Sequence, residues 1–264
     1  MPRADLQIPG ESAVVTASGS GIGRQIAAAL AESGVDVALN DVEEATLADA
    51  REELDSLPGR VIAVQGDASD PDDMARLVDE AVDAFGGLAI LVNNVGIAGP
   101  TKPCEEVSFE EFMDTLEVNL GGHFNATRAA IPHLRDAETG RIVNLSSMSG
   151  KRPLADRTPY TTAKMGVIGF VRTLAVELAD DDVTVNAICP GSVEGPRLEA
   201  VIEGQAQSQG RPYEEVEREF RSVSPMNEFT QPSDIASAVL FLCSDRGAHI
   251  TGQDINVTAG VCQY

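Results

Sequence analysis

The chain has 264 residues, 43% of them apolar, and a formal net charge of −23 from 42 Asp and Glu against 19 Lys and Arg. That length allows one large α/β domain or two small ones, and a surface this acidic argues against nucleic acid or an anionic membrane as a partner. No run approaches the roughly 18 apolar residues of a transmembrane helix, and Met1-Pro2-Arg3-Ala4-Asp5 lacks a signal peptide's apolar core, so a cytoplasmic protein is expected.

The acids are spread along the chain, and lysine occurs only at 102, 151 and 164. Such a surface repels itself in dilute salt and is screened in concentrated salt, where the Debye length falls to ~3 Å at 1 M. A halophilic protein is expected. Cys104, Cys189, Cys243 and Cys262 are scattered without a C-x-x-C pair, which points away from zinc and from a disulfide framework. His123, His133 and His249 have no metal-ligand spacing and read as structural or solvent-facing.

In chain order, short β-branched runs alternate with helical patterns. Strands are predicted at Ala13–Thr16, Val35–Asn40, Val61–Gln65, Ala89–Asn93, Ile142–Ser146, Val183–Ile188 and Ile255–Val257. Their unbroken apolar character suits a buried parallel sheet. Helices are predicted at 22–33, 43–56, 71–85, 109–135, 156–179 and 232–244, with two more inside 194–225, at 197–208 and 212–222. Asp70-Pro71 offers an N-cap followed by proline in the first turn, and Ser108 with Glu111 has capping-box spacing. The alternation implies right-handed crossovers and a single-domain, doubly wound, Rossmann-like sheet with helices on both faces.

The first strand runs into Thr16-Ala17-Ser18-Gly19-Ser20-Gly21-Ile22-Gly23, which opens a helix. Small residues there let the backbone approach a pyrophosphate at a helix N-terminus, where free N–H groups and the dipole favour anions. Ser18, Ser20, Gly21, Ile22 and Gly23 are the candidates. Asp41, ending the second strand, is placed to bind the adenosine ribose and to repel a 2′-phosphate, so NAD is the expected cofactor. Asp67 and Ala68 follow the third strand, where an acid can reach the adenine amine. Asn94, Val95 and Gly96 follow the fourth, where the turn lines the nucleotide pocket, holds the sheet together, or does both.

The segment Ser147 to Lys164 carries the chemistry. Tyr160 and Lys164 are four apart and share a helix face, and Ser147 follows the fifth strand. A hydroxyl, a phenol and an ammonium converging on one point can exchange a proton with a substrate oxygen.

Taken together, these residues resemble the short-chain dehydrogenase/reductase family over roughly residues 10 to 260. The markers are T-A-S-G-S-G-I-G at 16–23, Asp41, N-N-V-G at 93–96, Asn119, Ser147, Tyr160-x-x-x-Lys164, Pro190-Gly191 and T-G-Q-D-I-N-V at 251–257. The resemblance implies a seven-stranded Rossmann-like sheet and nicotinamide-dependent alcohol/ketone chemistry. It implies Tyr160 as general acid/base and Lys164 as the cation that eases its deprotonation and binds the nicotinamide ribose. Ser147 would hold the carbonyl oxygen, Asn119 would position Lys164 and a water chain, and the backbone at Pro190, Gly191 and Val193 would orient the nicotinamide. A homotetramer packed through the helices at 109–135 and 156–179 is implied as well. Three positions depart from the family pattern: Ala17 for a glycine, Val95 for an alanine, and Gly195 for a threonine that contacts the nicotinamide amide.

The segment 194–225 is expected to be a substrate lid. Lys151, Arg152, Arg157 and Arg197 lie where the substrate enters and raise the expectation of an anionic small-molecule substrate. A small hydroxy compound, a sugar or a hydroxyacyl group fits the chemistry. A 3-oxoacyl-thioester reductase is the alternative, although an acidic carrier protein would be repelled by this chain and Val176 stands where such reductases present a basic residue. A non-catalytic NAD-binding regulator is the reading from another class; the complete Asn119, Ser147, Tyr160 and Lys164 set speaks against it.

Overall fold

Seven parallel strands form one sheet in the order β3-β2-β1-β4-β5-β6-β7. The structure, a computed structural model, describes residues 6–8 and 12–263, with only the backbone of Arg197, Gly204, Gln205 and Ser208. The strands are β1 (Ser12–Val15), β2 (Asp36–Asp41), β3 (Val61–Gln65), β4 (Ile90–Asn93), β5 (Gly140–Leu145), β6 (Val183–Pro190) and β7 (Asp254–Val257). The helices are α1 (Gly21–Glu32), α2 (Glu44–Leu54), α3 (Pro71–Phe85), α4 (Phe109–Leu116), α5 (Gly122–Asp136), α6 (Thr158–Glu177), α7 (Pro196–Gln209), α8 (Tyr213–Ser222) and α9 (Pro232–Cys243).

Each sheet face is covered by apolar packing. One layer gathers Ile26, Leu30, Leu39, Ile90 and Val239; the other gathers Val14, Leu77, Leu91, Ile142 and Val171. Strands buried on both faces are why the sequence shows unbroken rather than alternating apolar runs. The local start signals are realised: the Asp70 side chain accepts from Asp72 N and Asp73 N, and Ser108 with Glu111 forms a full capping box.

The helix predicted across 109–135 is not regular. Residues Glu117–Gly121 form a π turn between α4 and α5. Asn119 lies in it, and its Nδ2 donates to Thr115 O at 2.9 Å and to Ile97 O at 3.1 Å. A side chain that bonds a carbonyl four residues back competes with the regular ladder, and such single-turn widenings concentrate at functional sites.

The strand order reverses between β1 and β4, so a crevice opens beyond the carboxyl ends of these strands, the usual ligand position in an open α/β sheet. Helix α7 borders it through Pro196, Leu198 and Val201, and α8 packs against α7. They have their own small core of Ile202, Ala206, Val216 and Phe229. Their base is tied by the parallel bridge Val193–Thr230 and by Glu194 N donating to Thr230 O at 2.9 Å. Among the described residues, no helix is long and apolar enough to cross a membrane.

Candidate active site

The crevice holds a cavity of about 600 Å³. Ser20, Gly21, Ile22 and Asp41 line one end; Asn119, Ser147, Tyr160 and Lys164 line the other, with Asn94, Gly96, Pro190, Gly191 and Val193 between. Sequence reasoning placed all of these in one site, and the fold brings them together.

At the nucleotide end, β1 turns into α1 through Ala17, which adopts a left-handed φ of 49°. The turn is stitched across the switch point by Asn94, whose Nδ2 donates to Thr16 O at 3.1 Å and Ala17 O at 2.8 Å. Gly23 is required there, because a Cβ would lie 2.3 Å from Ala17 O. The Ser20 side chain makes no capping bond to α1, so it leaves uncapped the first-turn N–H groups of a helix that opens onto the cavity. Asp41 Oδ2 accepts from Gly19 N at 3.0 Å and Oδ1 from Glu43 N at 3.2 Å, which fixes a carboxylate against the glycine-rich turn.

Five predicted cofactor residues are not on the cavity wall. Ser18 is fully buried; its hydroxyl donates to Val15 O at 2.8 Å and accepts from Asn40 N at 3.1 Å, so it staples β1 to β2. Gly23 serves the close packing of the turn. Val95 is buried and packs against Gly122 and Ala68. Ala68 is buried as well, while Asp67 is exposed and its Oδ1 accepts from Ser69 N at 2.8 Å. Asn125, which sequence reasoning missed, fixes this loop by donating to Ala68 O and Ser69 O.

At the other end, the carboxyl end of β5 is locked onto α6. Lys164 is buried, with Nζ donating to Leu145 O at 2.9 Å, and Ser146 Oγ donates to Lys164 O at 2.8 Å. Its Nζ lies 5.9 Å from the centroid of the Tyr160 ring. Ser147 Oγ accepts from Ser149 N at 3.1 Å, which leaves its hydroxyl hydrogen to be donated into the cavity. Asn119 Oδ1 is buried without a hydrogen-bond partner, on the cavity wall. Gly96 makes this closeness possible, since a Cβ there would sit 2.6 Å from Asn119 Oδ1 and 3.1 Å from Lys164 Nζ.

Beneath this floor lies His123, fully buried, with Nε2 at 3.1 Å from Val95 O and Nδ1 at 3.2 Å from the Asn144 amide. Burial, assisted by the charge on Lys164, pushes its pKa down to about 3, so the ring is neutral. The contact on Nδ1 is Asn144 Oδ1, which also accepts from Asn93 Nδ2 at 3.0 Å, so the single hydrogen of the neutral ring is donated to Val95 O or to Asn144 Oδ1. The histidine is structural, as read, and also pins the peptide that carries Gly96.

Of the basic residues expected to read an anion, Lys151, Arg152 and Arg157 do not line the cavity. Lys151 Nζ is held by Asp254 O at 2.7 Å, Asn256 Oδ1 at 2.9 Å and Asp254 Oδ2 at 3.1 Å. Arg157 donates to Thr101 Oγ1 and stacks on Tyr160. Arg152 is exposed, and the side chain of Arg197 lies outside the described residues. Lys164 is the single cation among the described residues lining the cavity. Lys151 and Arg157 are thus engaged by β7 and by the 97–107 segment, both distant in sequence.

A switch-point cavity with an uncapped helix N-terminus, an acid at the end of β2 and a Ser–Tyr–Lys cluster defines a nicotinamide-dependent oxidoreductase. Comparisons with known proteins agree. A family model described as enoyl-(acyl carrier protein) reductase matches residues 16–262. A 3-oxoacyl-[acyl-carrier-protein] reductase of Staphylococcus aureus (strain Mu50 / ATCC 700699) is 35% identical over 252 residues, covering 95% of this chain and 98% of that protein. The crystal structure of a single-residue variant of actinorhodin polyketide ketoreductase with NADPH superposes with a TM-score of 0.91 at 33% identity, covering 98% of this chain and 100% of that one. That of an NAD+-bound xylitol dehydrogenase gives 0.90 at 27% identity, covering 96% of this chain and 100% of the other. The chain belongs to the short-chain dehydrogenase/reductase family. It is an oxidoreductase acting on hydroxyl and keto groups.

Proposed function

We propose that this protein is an NAD(H)-dependent dehydrogenase/reductase that interconverts a secondary alcohol and a ketone, with Tyr160 as general acid/base. The observation that carries this reading is one cavity with Asp41 and the glycine-rich turn at one end and Ser147, Tyr160, Lys164 and Asn119 at the other. A bound nicotinamide supplies the hydride or accepts it. The chain's own residues do the rest. Ser147 donates a hydrogen bond to the substrate oxygen and orients it. Tyr160 passes its proton to that oxygen in reduction and takes one in oxidation. Lys164, held by Leu145 O, keeps a positive charge beside the phenol where negative charge develops. The orphaned Asn119 Oδ1 is placed to accept from a water or from the Lys164 ammonium.

The fixed Asp41 carboxylate supports NAD over NADP, because a 2′-phosphate in its vicinity would be repelled and no described cavity residue at that end is basic. At the substrate end Met148, Pro196, Leu198 and Val201 form an apolar wall, and Glu194 adds negative charge. This supports an uncharged substrate with alkyl or acyl substituents rather than a free acid or a polyol. The same wall favours, as the second reading, a 3-oxoacyl thioester; the charge of −23 and the exposed Val176 weigh against delivery by an acidic carrier protein. Helices α7 and α8 act as the lid, presenting Leu198 and Val201 to the substrate.

The assembly we favour is a homotetramer. Phe109, Met113, Phe124, Met165 and Val176 are 79, 41, 49, 51 and 79% exposed on α4, α5 and α6, an apolar face suited to a second copy. A cytoplasmic, salt-adapted enzyme fits the charge. The test is NADH formation at 340 nm across secondary alcohols, polyols, hydroxy acids and 3-hydroxyacyl-CoA esters, with NADP in parallel. Turnover with NAD on apolar alcohols or acyl thioesters is expected; turnover confined to hydroxy acids or polyols would overturn the substrate reading.

A further inference from the structure

Tyr160 lines the cavity, yet one of the groups pressed on its ring stands outside the cavity wall. The Arg157 guanidinium carbon lies 4.7 Å from the ring centroid, within cation–π range. The same guanidinium is held from the other side, its Nη1 donating to Thr101 Oγ1 at 2.8 Å. One residue along, Lys102 N donates to Asp156 O at 3.0 Å, and Asp156 has a left-handed φ of 61°. The 97–107 segment is in turn fastened to α4 through Lys102 Nζ and Glu111 Oε1, 2.7 Å apart. A chain of contacts therefore runs from α4 through Thr101 and Arg157 to the tyrosine ring.

We infer that Arg157 is a positioning residue for Tyr160, held by Thr101, so that the segment between β4 and α4 sets the aim of the proton-exchanging ring. This rests on the reading of Tyr160 as the acid/base. A guanidinium is suited to the task because it is planar, stacks on a ring face and has N–H groups left over for a second anchor. Lys164 reaches the ring from within the site and Arg157 from outside it, so the phenol is oriented by two cations of which one alone borders substrate.

The chain has three tyrosines, 160, 213 and 264, and no tryptophan, which makes the ring directly observable. Ring-13C-tyrosine NMR of the full chain, with Tyr160→Phe assigning the signal, would be compared for the wild type, Arg157→Met, Arg157→Lys and Thr101→Val. In Arg157→Met the Tyr160 signal should move and broaden while that of Tyr213 stays. With the best alcohol from the panel, kcat should fall about two- to fivefold at unchanged KM for NAD, the loss expected from an exposed cation–π contact. Arg157→Lys should recover most of this. Thr101→Val should lie between, and adding it to Arg157→Met should cost nothing further, because the two act through one contact chain. An unmoved Tyr160 signal would overturn the inference, as would a raised substrate KM at unchanged kcat, which would mean that Arg157 touches substrate. If the wild type turned over no alcohol or ketone, the acid/base reading would fall, and the ring signal would still decide the contact.

Discussion

The proposed preference for NAD rests on one carboxylate, and the size of its effect can be worked out. Asp41 is half-buried on the cavity wall, with both oxygens fixed by backbone N–H groups of Gly19 and Glu43. A 2′-phosphate oxygen about 4 Å away would meet ~4 kcal/mol of repulsion per charge pair at an effective dielectric of 20 and ~1 kcal/mol in bulk water. A half-buried site lies between, at about 2 kcal/mol, or roughly 30-fold in relative kcat/KM. Asp41→Asn removes the charge and keeps one acceptor for the turn. The ratio of kcat/KM for NADPH to that for NADH should rise at least tenfold in this variant. Asp41→Ala should show the same rise with an additional loss of stability of about 1–2 kcal/mol, since two backbone donors lose their acceptor. A ratio within twofold of wild type in a folded Asp41→Asn protein would refute the reasoning.

His123 makes a pH prediction. Its pKa falls from 6.5 unfolded to about 3 folded, so the neutral ring's contribution is complete above pH 6.5. Below that, the unfolded chain binds the proton and the folded one does not, and stability should fall by about 1.4 kcal/mol per pH unit toward pH 3. Denaturant unfolding between pH 4.5 and 7 should show this slope in the wild type and a shallower one in His123→Gln; equal slopes would contradict it. The charge of −23 makes a salt prediction. The melting temperature should climb steadily as KCl rises toward 2 M, and an insensitive melting curve would remove the halophilic reading.

Much of the fold was legible because local chemistry and burial agree. The strand at 61–65 and the helix at 71–85 fall on the predicted residues, the latter because Asp70 and Pro71 leave one way to start it and Gly86, in a left-handed C-cap, one way to end it. The cluster of Ser147, Tyr160 and Lys164 was legible because four-residue spacing on a helix and the end of a core strand fix direction. The π turn was not, since it depends on Asn119 reaching Ile97 O across the fold. Nor was the fate of Lys151, whose partners lie on β7, about a hundred residues away. Ser18 and Val95 were assigned to the cofactor from motif position; which way a side chain leaves a tight turn is set by tertiary packing. His123 did carry a signal: it stands four residues after Asn119, on the helix that enters the site.

The central claim is that Tyr160 exchanges the proton while the cofactor site is built independently of it. Tyr160→Phe removes one oxygen and leaves Lys164 on Leu145 O and the glycine-rich turn on Asn94. The measurement is NAD binding by calorimetry together with turnover of the best alcohol in the same preparation. The account predicts near wild-type NAD affinity and a fall in kcat of about 10²–10⁴. Turnover within threefold of wild type would contradict it.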